Sequence, residues 1–251
     1  SLVLKVLQPI WTEKAETASR LRARIEKVLD WAAVRGYRVG DNPARWRGHL
    51  DQLLAGLKRK QRVKHHAALP FSQVGQFIAA VRKYDGTAAR ALEFTILTAA
   101  RTNEVIGARW MELDLKGKLW TIPAERMKAH REHRVALSPQ VIKLLKSIRP
   151  KQPDEAAFVF PGPLDKALSN MAMLALLRRM DRQDLTVHGF RSTFRDWAAE
   201  CTNYSREVCE MALAHVVGDQ VEAAYRRGDL FDKRRGLMAD WAKHCEPKQR
   251  R

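Results

Sequence analysis

Tyr225 follows His215 by ten residues in Leu213-Ala214-His215-Val216-Val217-Gly218-Asp219-Gln220-Val221-Glu222-Ala223-Ala224-Tyr225. Upstream stand His188-Gly189-Phe190-Arg191 and, further back, Arg101 in Leu97-Thr98-Ala99-Ala100-Arg101-Thr102-Asn103-Glu104. These side chains suffice to break a phosphodiester without a metal. A phenol can attack phosphorus, two guanidiniums can hold the charge on the phosphoryl oxygens, and imidazoles can move protons. The chain carries 46 Lys and Arg against 28 Asp and Glu, a formal charge of +18, so the expected phosphodiester is DNA.

Taken singly, each residue has a plainer explanation. His-x-x-Arg arises easily in a basic chain and usually marks a solvated helix face. Arg101 could be one more phosphate contact or a surface ion pair. Its company is unusual, however, with apolar Leu97 and Ala99-Ala100 before it and Thr102 after it as a helix cap, where an anion is favoured. Glu104, three residues on, could orient a guanidinium through a bidentate pair or simply complement a helix dipole. Lys128 and Arg131 fall in a basic stretch between two predicted strands, suited to touching a phosphate backbone. His130 and His133 share a loop with no further ligand, which argues against a metal site. Tyr225 alone would read as a buried aromatic with a satisfied hydroxyl, and Trp241 as core packing of a final helix.

The elements that must position these residues are mostly helical. Apolar residues at 18, 21, 25, 28, 29 and 32 predict a helix over 12–35, capped by Thr12 and stopped at Gly36. Asp41-Asn42-Pro43 opens a second helix, reaching about Leu57. The run Lys58-Arg59-Lys60-Gln61-Arg62-Val63-Lys64-His65-His66 has no periodicity and reads as a linker, with Arg59, Lys60, Arg62 and Lys64 as DNA contacts. Beyond Leu69-Pro70, Ser72 caps a helix ending near Gly86, another spans Thr87 to Ala99, and a short one follows Thr102. The period then changes. Leu119–Pro123 and Arg134–Leu137 read as strands, with a turn at Lys116-Gly117 and a short extended run at Phe158–Gly162. Ser138-Pro139 caps a helix, and further helices are expected over Ser169–Met180, His188–Cys201, Ser205–Ala214, Asp219–Arg226 and Asp232–Lys243.

Composition sets outer limits. A 251-residue chain with 45% hydrophobic residues can bury a core in one or two domains. Residues 1–66 hold 15 basic and 6 acidic side chains, so the positive charge is densest there. Cys201, Cys209 and Cys245 are odd in number and fit neither a zinc site nor a disulfide framework, which suggests reduced thiols and a cytoplasmic protein. No apolar run approaches the roughly 18 residues of a membrane span, so no membrane partner is expected. The chain begins with Ser1 inside an amphipathic stretch, which suggests a fragment of a longer parent.

The order Arg101, Lys128, His188, Arg191, His215, Tyr225 resembles the tyrosine recombinase, or phage integrase, family at all six catalytic positions. Flanking residues resemble integrases of temperate phages, prophages and genomic islands. They are Trp120-Thr121-Ile122-Pro123, His133-Arg134-Val135-Ala136-Leu137-Ser138 and Met238-Ala239-Asp240-Trp241-Ala242. Ala99 and Ala214 stand where many members carry glycine, small departures expected to weaken nothing essential. The likeness is strong over 69–251 and looser over 1–62.

It implies a mainly α fold with a small β-sheet. Residues 1–62 would form a helical core-binding domain, 63–68 a basic linker, and 69–251 an α+β DNA breaking-rejoining catalytic domain. An arm-binding domain would be missing from the N-terminus. By that resemblance Tyr225 attacks the scissile phosphate to leave a 3′-phosphotyrosine, Arg101 and Arg191 bind the non-bridging oxygens, and His215 adds a hydrogen bond. Lys128 protonates the leaving oxygen, His188 acts as base, and Glu104 supports the site. No cofactor and no metal are needed. The implied partners are double-stranded DNA of an attachment-site core, a homotetramer on recombining DNA, and DNA-bending accessory proteins, in the nucleoid of a bacterial cell. A type IB topoisomerase-like strand-passing enzyme or a catalytically silent DNA-binding relative are the alternatives.

Overall fold

The computed structural model describes residues 1–54, 68–152, 154–215 and 228–247. It divides into two compact units, one within 1–65 and one within 66–251. It is mainly α-helical with one three-stranded sheet. No helix among the described residues is long and apolar enough to cross a membrane.

The smaller unit opens with α1 (Leu2–Trp11), whose N-cap Ser1 accepts a bond from the Leu4 amide, and continues with α2 (Ala15–Val34). The helix expected over 12–35 therefore starts later. Thr12 closes α1 instead of capping α2, and Lys14 flanks the start of α2. Gly36, at φ +75°, ends the helical run as expected, since a left-handed residue suits a helix stop. The second helix starts later than expected. Residues 41–45 are turn and loop, the Trp46–Leu50 segment contains Gly48 at φ +69°, and regular helix begins only in α3 (Asp51–Leu54). Leu7, Trp11, Ala18, Ala44, Leu50 and Leu54 form the core, with Trp11 stacked on Trp46 at 5.4 Å. Glu26 of α2 fastens the 42–46 loop, accepting from the Trp46 amide through its carboxylate and from Asn42 through its backbone carbonyl.

The larger unit is built around α5 (Thr87–Thr98), which is buried on almost every side. Its polar residues are matched. Thr95 and Thr98 donate to carbonyls one turn back, and buried Glu93 pairs with Arg82 and Arg90. Before it lies α4 (Val74–Val81), shorter than expected; Ser72 sits within a preceding 3-10 turn and is not its cap. After it comes α6 (Thr102–Ile106). Strands β1 (Leu113–Asp114), β2 (Leu119–Ile122) and β3 (His133–Ala136) pair antiparallel in that order, with Ile122 opposite His133. The two-residue β1 is too short to carry a period. Trp120 and Ile122 alternate into the core, where Trp120 and Phe160 meet Phe94 of α5. Then follow α7 (Pro139–Ile148), N-capped by Ser138, α8 (Ala172–Arg179), α9 (Gly189–Cys201), α10 (Arg206–Ala212) and α11 (Phe231–His244). The helix expected over Asp219–Arg226 lies outside the described residues, as does most of the 63–68 linker. In the 158–162 run, only Phe158 and Pro161 make isolated bridges, to Arg109 and Ala167.

Two tethers aim the centre of this unit. Trp241 of α11 is fully buried, and its indole N–H donates to the Ile96 carbonyl at 2.8 Å, satisfying an end-of-helix acceptor of α5. Burying a side chain of this size contributes about 2–3 kcal/mol, and the bond fixes where α5 stops. Thr193 of α9 donates to the Leu69 carbonyl, fastening α9 to the start of the unit.

Candidate active site

The chain leaves α5 through Ala99, whose left-handed backbone (φ +51°, ψ 24°) turns it sharply into α6. Arg101 is the N-cap of α6, a place expected of Thr102. Glu104 binds Arg101 twice, once at the guanidinium (2.8 Å) and once at the backbone N–H (2.8 Å). It is thus part of the cap and not a bidentate guanidinium partner, and it is buried.

Arg191 lies one turn into α9 and is almost wholly buried. Its Nη1 donates to the Ala99 carbonyl at 2.5 Å, and its Nη2 donates to the Leu213 carbonyl at 2.6 Å. The same Nη2 meets His215 Nε2 at 3.0 Å. Arg101 Nη2 donates to the carbonyl of Ala214, the second left-handed alanine (φ +50°), at 3.1 Å. The two left-handed alanines therefore do specific work. Each turns the backbone where a carbonyl must face a site arginine, and glycine enters that conformation without a Cβ penalty.

One tight segment, Leu213-Ala214-His215, thus gathers both arginines. Burial, and next the charge of Arg101, lower the Arg191 pKa to about 10, still cationic at neutral pH. Among the described residues, Arg191 Nε is buried without a hydrogen-bond partner. Such a donor costs about 1–3 kcal/mol, which an arriving anion would relieve.

Other predicted residues take different places. His188 is exposed at the N-terminus of α9, one turn before Arg191. Lys128 and Arg131 are exposed on the β2–β3 loop. Tyr225 lies outside the described residues, as do Arg59, Lys60, Arg62 and Lys64. Among the described residues no group of three His, Cys, Asp or Glu side chains could hold a metal ion.

Three groups at the site escaped sequence reasoning. Glu210 of α10 bonds His215 Nδ1 at 2.6 Å and Arg195 of α9 at 2.7 Å. The only hint was an acid five residues before a histidine. His133, noted as part of a flanking motif, is held neutral with its pKa lowered to about 4. Burial is the main cause, followed by the charge of Arg234, with Arg101 and Arg191 adding to it against Glu104. Arg126 bonds both Glu112 carboxylate oxygens and the Glu104 carbonyl. Glu112 also accepts from the Trp120 indole, so the base of the Lys128 loop is fixed to the helix that carries Glu104.

Comparison with known proteins accounts for this arrangement. Residues 68–229 match the model of the phage integrase family, and residues 1–49 match the phage integrase central domain. The chain belongs to the phage integrase family. Among curated members it is 35% identical over 243 residues to prophage integrase IntZ of Escherichia coli K12, covering 96% of this chain and 58% of that protein. It is 30% identical to the integrase of enterobacteria phage P4, covering 93% and 56%. The chain spans less than two thirds of these relatives' length. In fold it is similar to the lambda integrase tetramer bound to a Holliday junction, with a TM-score of 0.61 at 14% identity, covering 88% of this chain and 66% of that one. The integrase of mycobacterium phage Brujita gives a TM-score of 0.55 at 18% identity, covering 99% and 79%.

Proposed function

We propose that this chain is the core-binding and catalytic part of a site-specific recombinase, with domains at 1–62 and 69–251 joined by a basic linker at 63–68. It cuts and rejoins DNA through a 3′-phosphotyrosine. The observation that carries the reading is the convergence of Arg101, Arg191 and His215 on one backbone turn, with the Arg191 Nε–H unpaired among the described residues.

In this reading the two arginines bind the non-bridging oxygens of the scissile phosphate, where charge builds as phosphorus becomes five-coordinate. Tyr225 attacks, with His188 as its base, and Lys128 swings in on its exposed loop to protonate the departing 5′-oxygen. Glu104 holds Arg101. The bond energy stays in the phosphotyrosine, so the 5′-hydroxyl can attack it and reseal the strand without nucleotide hydrolysis, metal or cofactor. Relatives described as integrases, and similar folds bound to core sites or to a Holliday junction as a tetramer, support duplex DNA as substrate and a homotetramer as the working assembly. Family membership favours recombination over a topoisomerase-like role. The dense charge of residues 1–62 and of Arg59, Lys60, Arg62 and Lys64 would clamp the far side of the duplex, with Arg131 on the near side. DNA-bending accessory proteins and a place in the bacterial cytoplasm, at the nucleoid, complete the proposal.

The test is a nicked suicide duplex carrying the attachment core. The wild-type chain should form a covalent adduct on a denaturing gel, and Tyr225→Phe should abolish it while leaving DNA binding nearly intact. An adduct that survives the substitution would remove Tyr225 as nucleophile.

A further inference from the structure

His215 is held by two partners whose roles are not interchangeable. A guanidinium can only donate, so at 3.0 Å from Arg191 Nη2 the Nε2 atom must be the acceptor. A carboxylate can only accept, so at 2.6 Å from Glu210 Oε2 the Nδ1 atom must carry the proton. Glu210 is ionised. Burial would raise its pKa, but the bonds from His215 and Arg195 outweigh burial and leave it below the usual value. The imidazole is therefore the neutral Nδ1–H tautomer.

That tautomer has no Nε2–H to offer a phosphate. For His215 to donate there, Nε2 must gain a proton. Its side chain is 43% exposed, so water can deliver one. Among the described residues, the charged groups around the ring are Arg191 and Arg195 of α9, Glu210 of α10 and, across the Ala214 carbonyl, Arg101 with Glu104 of α6. Only a carboxylate in contact with the ring can offset two adjacent arginines when the ring becomes cationic, and that carboxylate is Glu210.

We infer that Glu210 is a positioning residue, holding His215 as the Nδ1–H tautomer in the free protein and stabilising its imidazolium as negative charge builds on a DNA phosphate set between Nε2 and Arg191. The proton comes from solvent and no covalent bond changes. The backbone reinforces the arrangement, because the His215 N–H donates to the Glu210 carbonyl at 2.9 Å and sets the spacing between the two residues. This inference rests on the reading of His215 as a phosphate ligand.

The test uses the full chain labelled with ¹⁵N-histidine, in which protonated and bare ring nitrogens resonate far apart. Free wild type should show a protonated Nδ1 and a bare Nε2. Glu210→Gln, whose amide oxygen can still accept, should keep that pattern, and Glu210→Ala should lose it. Single-turnover cleavage of the suicide duplex should fall by up to about 100-fold in Glu210→Ala, because Glu210 cannot contribute more than the one phosphate donor it serves. Glu210→Gln should fall between, since it keeps the tautomer but not the counter-charge. Duplex affinity should be unchanged, and melting curves separate out any loss of the α9–α10 tie to Arg195. In a His215→Ala background Glu210→Ala should have no further effect. A further loss in that background, or an unaltered tautomer in Glu210→Ala, overturns the role assigned to Glu210. Wild-type cleavage by His215→Ala would instead overturn the reading of His215, which the tautomer spectra do not depend on.

Discussion

Ala214 offers a test of how the site is paid for in backbone strain. Its φ of +50° turns its carbonyl onto Arg101, and an L-residue in that region costs about 1–2 kcal/mol. Glycine removes that cost but adds about 0.5–1 kcal/mol of unfolded-state entropy. The Ala214 methyl is only half-buried, so little packing is lost. Ala214→Gly should therefore stabilise by roughly 0.5–1 kcal/mol. In a unit of this size that raises the melting temperature by about 1–4 °C. Ala99 has nearly the same conformation, φ +51°, but is only 1% exposed. Losing its buried methyl forfeits about 0.8 kcal/mol, so Ala99→Gly should come out near zero. Ala214→Val is the opposite perturbation. A β-branched residue at positive φ is a genuine outlier, and the segment would swing its carbonyl off Arg101. We expect melting to fall by 4 °C or more, at about 2–4 °C per kcal/mol, together with a loss of cleavage. Thermal melts of the full chain without DNA, followed by circular dichroism, read all three variants. An Ala214→Gly chain that melts below wild type, or an Ala214→Val chain that melts with it, would refute the strain argument.

Two further predictions concern groups beside the arginines. Arg126→Lys keeps a charge but cannot reproduce the fork that joins Glu112 to the Glu104 carbonyl. If that fork sets the base of the Lys128 loop, the variant should slow cleavage of ordinary DNA by about 10- to 100-fold and spare a duplex with bridging sulfur, as Lys128→Ala should, because a thiolate leaves unprotonated. Equal losses on both duplexes would make Arg126 a support of the fold alone. His133 titrates at 6.5 when unfolded and near 4 when folded, so the folded state prefers it neutral. Its contribution is complete above pH 6.5 and is lost as pH falls toward 4, about 3 kcal/mol in order of magnitude. His133→Gln should flatten the decline of urea midpoints between pH 7 and 4, and an unchanged slope would count against the shift.

Much of the fold was legible because it follows local rules. Helix α5 is mostly apolar and buried, Ser138-Pro139 caps α7, and β2 alternates between core and surface. What the sequence hid were choices the backbone makes without a periodic signal. Residues 41–50 form turns, with Gly48 left-handed, where composition would have begun a helix, and Thr12, a good cap by type, closes one helix instead of opening the next. At the site, Arg101, Arg191 and His215 were readable by type and order. Their holders were not, because the carbonyls of Ala99, Leu213 and Ala214 have no side-chain signature and reach partners more than 20 residues away. Glu210 was missed for a different reason. Its spacing from His215 looks like any acid on a helix, and only the turn after α10 brings the two side chains together.

The charges around the turn fit the proposed substrate, a phosphodiester. Among the described residues, Arg101, Arg191 and Arg195 face Glu104 and Glu210, with His133 and His215 neutral, and these groups sum to a single positive charge. That matches the one negative charge of a phosphodiester, so binding neutralises the site without leaving buried ions unpaired. In the proposed mechanism the phosphoryl oxygens gain a second negative charge in the five-coordinate transition state. No further arginine stands ready among these groups, but His215, backed by Glu210, can become the second cation. The interaction then strengthens as the reaction proceeds instead of being spent on the ground state, and that difference is what accelerates a chemical step. A site with a third permanent cation in place of His215 would bind the resting phosphate more tightly and give part of that difference back.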